Sequence, residues 1–378
     1  MLNSRTISDL AQAFAASPNG FLIVDQGQPS FAVLPYETYK ILKKGKTAQK
    51  KIKKILVTGG AGYIGSHTVK LLIDQDYEVV VFDNLSTSRR EAVGGVKLVV
   101  GDLSDRDVLD KLFQEEKFDA VMHFAASIKV EESVANPGKY YRENVVSGLN
   151  LLESMMAHGV KSFVFSSSAA VYGEPEKNPI NEVASCQPTN PYGETKLCFE
   201  NILKWYGKGY GLNSISLRYF NAAGAMPDAE LGYGRSLEHT HLIPRVLDAA
   251  LGKTAEIEVF GNDYATPDGT CIRDYIHVLD LAEAHLLALK KLSEPGAHIY
   301  NVGTGRGSSV LEIIDQAMEI TGRMIPMKIS GRRAGDPARL VADSKKIQKE
   351  LGWQPAYDLQ DMIESSWEWQ KLSGPGVV

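Results

Sequence analysis

Lys54-Ile55-Leu56-Val57-Thr58-Gly59-Gly60-Ala61-Gly62-Tyr63-Ile64-Gly65 is the stretch on which the fold turns. An apolar, partly β-branched run enters a turn with glycines at 59, 62 and 65. An apolar helical pattern then follows through Val69, Leu71, Leu72 and Ile73. Such glycines allow a tight turn and close backbone approach, so that a pyrophosphate can sit at the helix N-terminus. The spacing is G-x-x-G-x-x-G rather than G-x-G-x-x-G. A second strand, Glu78 to Phe82, ends in Asp83, placed to accept hydrogen bonds from an adenosine ribose. Strand, glycines, helix, strand and acid in register predict a dinucleotide site. Asp83 favours NAD over NADP, because a carboxylate repels a 2′-phosphate.

From Lys54 to about Val171 strand-like and helix-like patterns alternate, with strands expected at 55–58, 78–82, 96–100, 119–124 and 162–167. This rhythm predicts an α/β fold, a Rossmann-type doubly wound parallel sheet. After Ile215 the pattern loosens, with helical segments near 244–251, 280–291 and 310–321. The expected organisation is an extension over 1–50, a dinucleotide-binding domain over 51–218 and a smaller mixed α/β substrate domain over 219–378. The segment 270–304 is expected to return in part to the first domain.

The chain has 378 residues, enough for two domains sharing one cleft, and a net charge of −5 that gives no general argument for nucleic acid or membrane partners. Cys186, Cys198 and Cys271 have no metal-ligand spacing and cannot all pair, which suits a reducing, cytoplasmic setting. No apolar run is long enough to span a bilayer, and no signal-peptide pattern opens the chain. The histidines 123, 239, 241 and 277 fit no zinc template, so no metal is expected.

Tyr192-Gly193-Glu194-Thr195-Lys196 carries the chemistry. A tyrosine with a lysine four residues on shares one helix face with it. An ammonium close to a phenol stabilises the phenolate, so Lys196 is expected to lower the pKa of Tyr192 from its ordinary value near 10. Ser168 closes a buried strand and can deliver its hydroxyl to the same place.

The ordered motifs carry a resemblance. They are Gly59 to His67, Asp83-Asn84-Leu85, His123-Phe124-Ala125-Ala126, Tyr140-Tyr141-x-x-Asn144, Phe165-Ser166-Ser167-Ser168 and Asn190-Pro191-Tyr192-Gly193-x-x-Lys196. Further along come Leu217-Arg218-Tyr219-Phe220-Asn221, Phe260-Gly261-Asn262-Asp263-Tyr264 and Gly269-Thr270-x-x-Arg273-Asp274-Tyr275-Ile276-His277. Over about residues 53 to 372 the chain resembles the extended short-chain dehydrogenase/reductase superfamily, and within it the UDP-glucose 4-epimerase family. The resemblance implies NAD-dependent 4-epimerisation of UDP-glucose and UDP-galactose through a transient 4-keto sugar, in a cytoplasmic homodimer.

It also implies residue roles. Ser168, Tyr192 and Lys196 are the catalytic set. Gly59, Gly62, Tyr63, Ile64, Gly65, Asp83, Asn84, Asp102, Leu103, Phe124, Ala125, Ala126, Asn144 and Tyr219, with Tyr192 and Lys196, line the NAD site. Asn221, His241, Leu242, Phe260, Arg273, Arg333, Asp336 and Leu340, with Ser168, face the UDP-hexose. Arginines at 273 and 333 suit bidentate phosphate contacts, whereas Arg332 reads as a surface charge. His123 and His277 read as structural.

Departures from the family pattern limit these assignments. Many members place a lysine one residue before Lys129, leaving its reach to the cofactor open. Ala170 replaces a common threonine near the sugar. Leu340, intermediate in bulk, leaves the acceptance of N-acetylated sugars open. A nucleotide-sugar dehydratase needs an acid/base pair just after the catalytic hydroxyl, and Ala169 and Ala170 stand there instead. A decarboxylase also usually carries an acid there. A non-catalytic NAD-binding regulator is the reading from another class, opposed by the retained Ser168, Tyr192 and Lys196.

The extension reads as a helix over Ile7 to Phe14, a hairpin with strands at Phe21–Val24 and Phe31–Leu34, and a further helix over Tyr36 to Leu42. Gly27-Gln28-Pro29 and Phe31-Ala32-Val33-Leu34-Pro35, followed by Glu37 and Tyr39, loosely resemble the prevent-host-death antitoxin module. The lysine-rich stretch from Lys43 to Lys54 reads as a solvated linker, with nucleic acid as the alternative.

Overall fold

The computed structural model describes residues 21–25, 28–33, 52–234, 239–333 and 335–372. The chain divides into two units, Met1–Lys51 and Ile52–Val378. In the first, β1 (Phe21–Asp25) pairs antiparallel with β2 (Gln28–Val33), Asp25 opposite Gln28 and Phe21 opposite Val33. The expected hairpin is present, with its second strand beginning at Gln28 instead of Phe31. The two helices expected on either side of it lie outside the described residues. So does the lysine-rich stretch up to Lys51.

The second unit is organised by seven parallel strands: β3 (Lys54–Thr58), β4 (Glu78–Asp83), β5 (Lys97–Val100), β6 (Ala120–His123), β7 (Ser162–Ser166), β8 (Asn213–Tyr219) and β12 (Ala297–Val302). Their order across the sheet is β12-β8-β7-β6-β3-β4-β5. The central strands are apolar throughout because both faces are covered. Ile55 and Val57 enter a core with α1 (Tyr63–Asp74) and α6 (Val278–Lys291). Leu56 enters the opposite core with α2 (Arg106–Glu115), α3 (Ser147–Ala157) and α4 (Pro191–Tyr210). Strand order reverses at β3, between β4 and β6, and such a switch point opens a crevice at the carboxyl ends of the strands. The glycine turn lies there.

The remaining elements build a smaller mixed part. Helices α5 (Leu242–Ala250), α7 (Val310–Thr321) and α8 (Leu359–Leu372) share a core with β10 (Ile257–Phe260). A four-stranded sheet joins β9 (Asn221–Ala223), β11 (Ile272–His277), β13 (Gly307–Ser309) and β15 (Arg339–Leu340). Helix α6 packs in the first core and β12 joins its sheet, while β11 pairs in the small sheet. A later segment reaches the first core as well. Ile347 and Trp353 are buried in the first core, and the Trp353 indole donates to the Asp280 carbonyl at 2.9 Å. Leu351, one helical turn after Ile347, packs on the same core.

Candidate active site

The glycine turn is packed to its limit. Gly59 has φ of +70°, and a Cβ there would lie 2.5 Å from the Ala125 amide nitrogen. A Cβ at Gly65 would lie 2.2 Å from the Gly59 carbonyl oxygen, so no side chain fits between turn and helix. Gly62 caps α1 without a side-chain bond, leaving the first-turn amides to an incoming anion. Asp83 is buried at the end of β4. One carboxylate oxygen accepts from the Ala61 amide at 3.0 Å; the other accepts from the Leu85 amide at 2.9 Å and the Ser88 hydroxyl at 2.7 Å. A carboxylate offers about four lone-pair positions, so capacity for a ribose hydroxyl remains.

These features fit a dinucleotide: a cradle that any Cβ would fill, an uncapped helix start, and an acid at the next strand end. Gly65→Ala is therefore expected to cut the NAD retained by the purified protein about tenfold or more, since the clash is with backbone and costs more than 1 kcal/mol. Nucleotide released on denaturation measures this; wild-type content would show that the turn can open freely.

Around the crevice, Asn84 donates to the Asp102 carboxylate at 2.8 Å, and the Ser104 hydroxyl, Asn84 and the Ser104 amide hold that carboxylate below its ordinary pKa. Leu103 is buried beside it in the second core. Phe124, Ala125 and Ala126 leave β6 half-exposed along the crevice, with the Phe124 ring 4.6 Å from that of His285. Tyr63 reaches across, its hydroxyl donating to the Gly224 carbonyl at 2.6 Å, and Ile64 packs on the first core. Asn144 spends both amide hydrogens inside the protein, on the Ser127 carbonyl at 3.0 Å and the Thr195 hydroxyl at 3.1 Å, and accepts from the Ser127 amide. It sits in a π-helical turn, Tyr141–Val146, and ties the loop after β6 to α4. The side chain of Lys129 is exposed, and its carbonyl accepts from Tyr140.

Ser168, Tyr192 and Lys196 converge at the mouth of β7. Asn190 caps α4 by accepting from the Gly193 amide at 2.9 Å, with Pro191 in the first turn, so the helix begins where Tyr192 must face inward. The Ser168 hydroxyl faces the Tyr192 phenol and acts to lower its pKa. Ser168 also caps the 3-10 turn Ala169–Tyr172 by accepting from the Ala170 amide at 3.1 Å. The Tyr219 hydroxyl bonds the Ser166 hydroxyl just beneath.

The Lys196 ammonium donates to the Ser166 carbonyl at 2.8 Å and lies 5.8 Å from the centre of the Tyr192 ring. Burial pushes Tyr192 up, and the Ser168 hydroxyl offsets this only in part. Burial also drives Lys196 down to about 7, against the opposing Glu200 carboxylate. The spacing of four does place both side chains on one face. A desolvated ammonium also takes the nearest buried carbonyl, which fixes where its charge sits relative to the phenol.

Across the cleft, Arg273 pairs with Asp336, and the Arg333 guanidinium covers the Phe260 ring at 4.0 Å. These four residues form one cluster of cationic, acidic and aromatic groups. Arg332 instead pairs with Asp263 at 2.7 Å and lies over Tyr264. Leu340 sits beside Arg273 in the small sheet and packs with Ala169, Tyr172 and Phe220, next to Ser168. Asn221 begins β9, paired with Tyr275. His241 and Leu242 open α5, and the His241 ring accepts or donates at 2.7 Å to the Tyr233 hydroxyl. Burial lowers His241 to about 4, keeping it neutral. His123, bonded to the Thr58 hydroxyl at 2.7 Å and lowered by burial to about 3, is a packed core histidine. Among the described residues no group of three or more His, Cys, Asp or Glu is placed to hold a metal.

Sequence reading passed over one feature. Arg218 and Glu200 form a buried bidentate pair, Nε to Oε1 at 2.9 Å and Nη2 to Oε2 at 2.5 Å. The signal was available: an arginine between Leu217 and Tyr219 in a strand of the buried sheet must have a partner.

Fold and site together define an NAD dependent epimerase or dehydratase. Residues 55–303 match the model of the NAD dependent epimerase/dehydratase family, and the chain belongs to that family. Among its relatives, the UDP-glucose 4-epimerase of Halalkalibacterium halodurans is 50% identical over 319 residues, spanning 84% of this chain and 95% of the relative. The crystal structure of UDP-glucose 4-epimerase from Brucella ovis in complex with NAD has a TM-score of 0.81 at 47% identity, over 84% of this chain and 98% of that one. The Bifidobacterium longum UDP-glucose 4-epimerase, solved with NAD+ and UDP, has a TM-score of 0.81 at 41% identity over the same shares.

Proposed function

We propose that this chain interconverts UDP-glucose and UDP-galactose by epimerisation at C4, with residues 51–218 holding NAD and 219–378 holding the UDP-sugar. The observation that carries this is the placement of Ser168, Tyr192 and Lys196 beside the glycine crevice, with the Arg273, Arg333, Phe260 and Asp336 cluster linked to the turn after Ser168 through Leu340 and Ala169. Kinship of about half-identity to UDP-glucose 4-epimerases supports the same reading. NAD, held by the glycine turn and Asp83, would supply the hydride acceptor and donor, and its nicotinamide would add a second positive charge near the Tyr192 phenol.

Tyr192 takes the proton of the sugar 4-hydroxyl and later returns it. Ser168 relays that proton and orients O4. Lys196 anchors the strand end through the Ser166 carbonyl and offers its remaining hydrogens to the nicotinamide ribose. Arg273 and Arg333 grip the diphosphate, Asp336 the uridine ribose, and Phe260 packs at the uracil. Gripping the nucleotide and leaving the hexose loose lets the 4-keto ring turn over and be reduced from its other face. Ala169 and Ala170 follow Ser168, so no acid is present there to expel water, and the reading as a dehydratase loses its main support.

A homodimer is the expected assembly. Three free cysteines accord with a cytoplasmic setting, and no described helix is long and apolar enough to cross a membrane. Incubation with UDP-galactose is expected to yield UDP-glucose without net change in NAD. A 4-keto-6-deoxy sugar, or UDP-xylose from UDP-glucuronate, would overturn the proposal. The same assay with UDP-N-acetylgalactosamine measures what Leu340 admits.

A further inference from the structure

We propose that the buried Glu200–Arg218 pair is the positioning device for the Ser168 hydroxyl, gripping both ends of the backbone arch that carries it. The inference rests on the reading of Ser168, Tyr192 and Lys196 given above.

The arch runs from Ser167 to Tyr172. At its near end the Ser167 hydroxyl donates to Glu200 Oε1 at 2.6 Å. At its far end Arg218 Nη1 donates to the Tyr172 hydroxyl at 2.9 Å, and that hydroxyl donates onward to Asn301 Oδ1 at 2.7 Å. Asn301 is held in turn by the Ile180 carbonyl at 2.8 Å. Ser167, Tyr172, Glu200, Arg218 and Asn301 are all almost fully buried. Between the two grips lie Ser168 and the 3-10 turn it caps.

The pair also fixes what Ser168 must face. Glu200 stands one helical turn beyond Lys196 and two beyond Tyr192 on α4, so the carboxylate that holds the arch is rigidly tied to the helix bearing the base. Arg218 lies on β8, which pairs with β7 and sets the strand end from which the arch departs. A guanidinium forked onto one carboxylate, with its third edge on a phenol, allows little freedom in distance or angle. The Cys186 thiol also faces Arg218. Catalysis by proton relay is sensitive to displacements well below the size of a side chain, so a loosened arch costs turnover before it costs binding.

Truncating Glu200 or Arg218 alone leaves a buried charge unpaired and threatens folding. The test therefore removes only the grips. Ser167→Ala, Tyr172→Phe and the double variant are purified with their NAD and assayed with UDP-galactose well below their melting temperatures. Expected is a kcat lowered about tenfold in each single variant and about a hundredfold in the double, a range typical of misplaced catalytic groups. KM for UDP-galactose and NAD content are expected to stay at wild-type values. Wild-type kcat in the folded double variant would overturn the proposal. So would a parallel loss of kcat, NAD content and KM, which marks general loosening. Ser168→Ala and Tyr192→Phe run in the same assay separate the two levels. If they retain turnover, the catalytic reading itself fails; if they lose it while the double variant does not, only the positioning role fails.

Discussion

Tyr192→Phe lowers kcat about 10³-fold, in the middle of the range for removing a general acid–base group. The ring is buried against its surroundings and its replacement keeps every apolar contact. What disappears is the phenolic oxygen that faces Ser168. NAD content, far-UV circular dichroism and melting temperature are expected to stay close to wild type. The pH dependence carries a second signature. Tyr192 acts as a base only when ionised, and burial holds its pKa above the ordinary value unless a positive charge compensates. Wild-type kcat therefore rises with pH to a plateau, whereas the residual activity of the variant has no such limb. More than a tenth of wild-type turnover in Tyr192→Phe would assign the base elsewhere.

Lys196→Met has the second large effect, and it separates stability from activity. Burial lowers the Lys196 pKa from its ordinary 10.5 to about 7 in the folded chain. Between those values the unfolded chain binds more protons than the folded one, so stability rises with pH across that window and falls again as pH drops toward 7. The steepest slope from this single group is about 1.4 kcal/mol per pH unit. In protein freed of nucleotide, urea unfolding at pH 7, 8 and 9 is expected to show this rise in the wild type and a flatter profile in Lys196→Met. Part of the gain at low pH is offset, because the Ser166 carbonyl loses its donor. Turnover in the variant is expected to fall at least 10²-fold, as for other catalytic-group deletions. Equal slopes in the two proteins would mean that Lys196 keeps an ordinary pKa and is better hydrated than its burial implies.

Much of this molecule was legible from local pattern. The strand boundaries at 55–58, 78–82 and 162–167 came within a residue of those observed, because parallel strands buried on both faces read as continuous apolar runs between turns. The glycines at 59 and 65 were readable because Gly59 takes a positive φ in the turn and a Cβ at Gly65 would strike the Gly59 carbonyl, both short-range demands. Asp83 followed from its place at the end of the second strand. The hairpin of β1 and β2 was likewise a short-range signal, misjudged only in where its second strand begins.

Other features depend on residues distant in the chain. Tyr172 meets Asn301 across 129 positions, and Trp353 meets Asp280 across 73. Neither pair leaves a periodic mark. The sequence by itself determined the doubly wound sheet, the dinucleotide crevice and the helix face shared by Tyr192 and Lys196, since each rests on spacing within a few residues. Only the tertiary structure decided that the Lys196 ammonium turns to the Ser166 carbonyl, and that Glu200 and Arg218 close on each other beneath Ser168. Both outcomes follow from burial: a charge removed from water must take whatever partner packing brings within reach, and packing is settled by the whole chain at once.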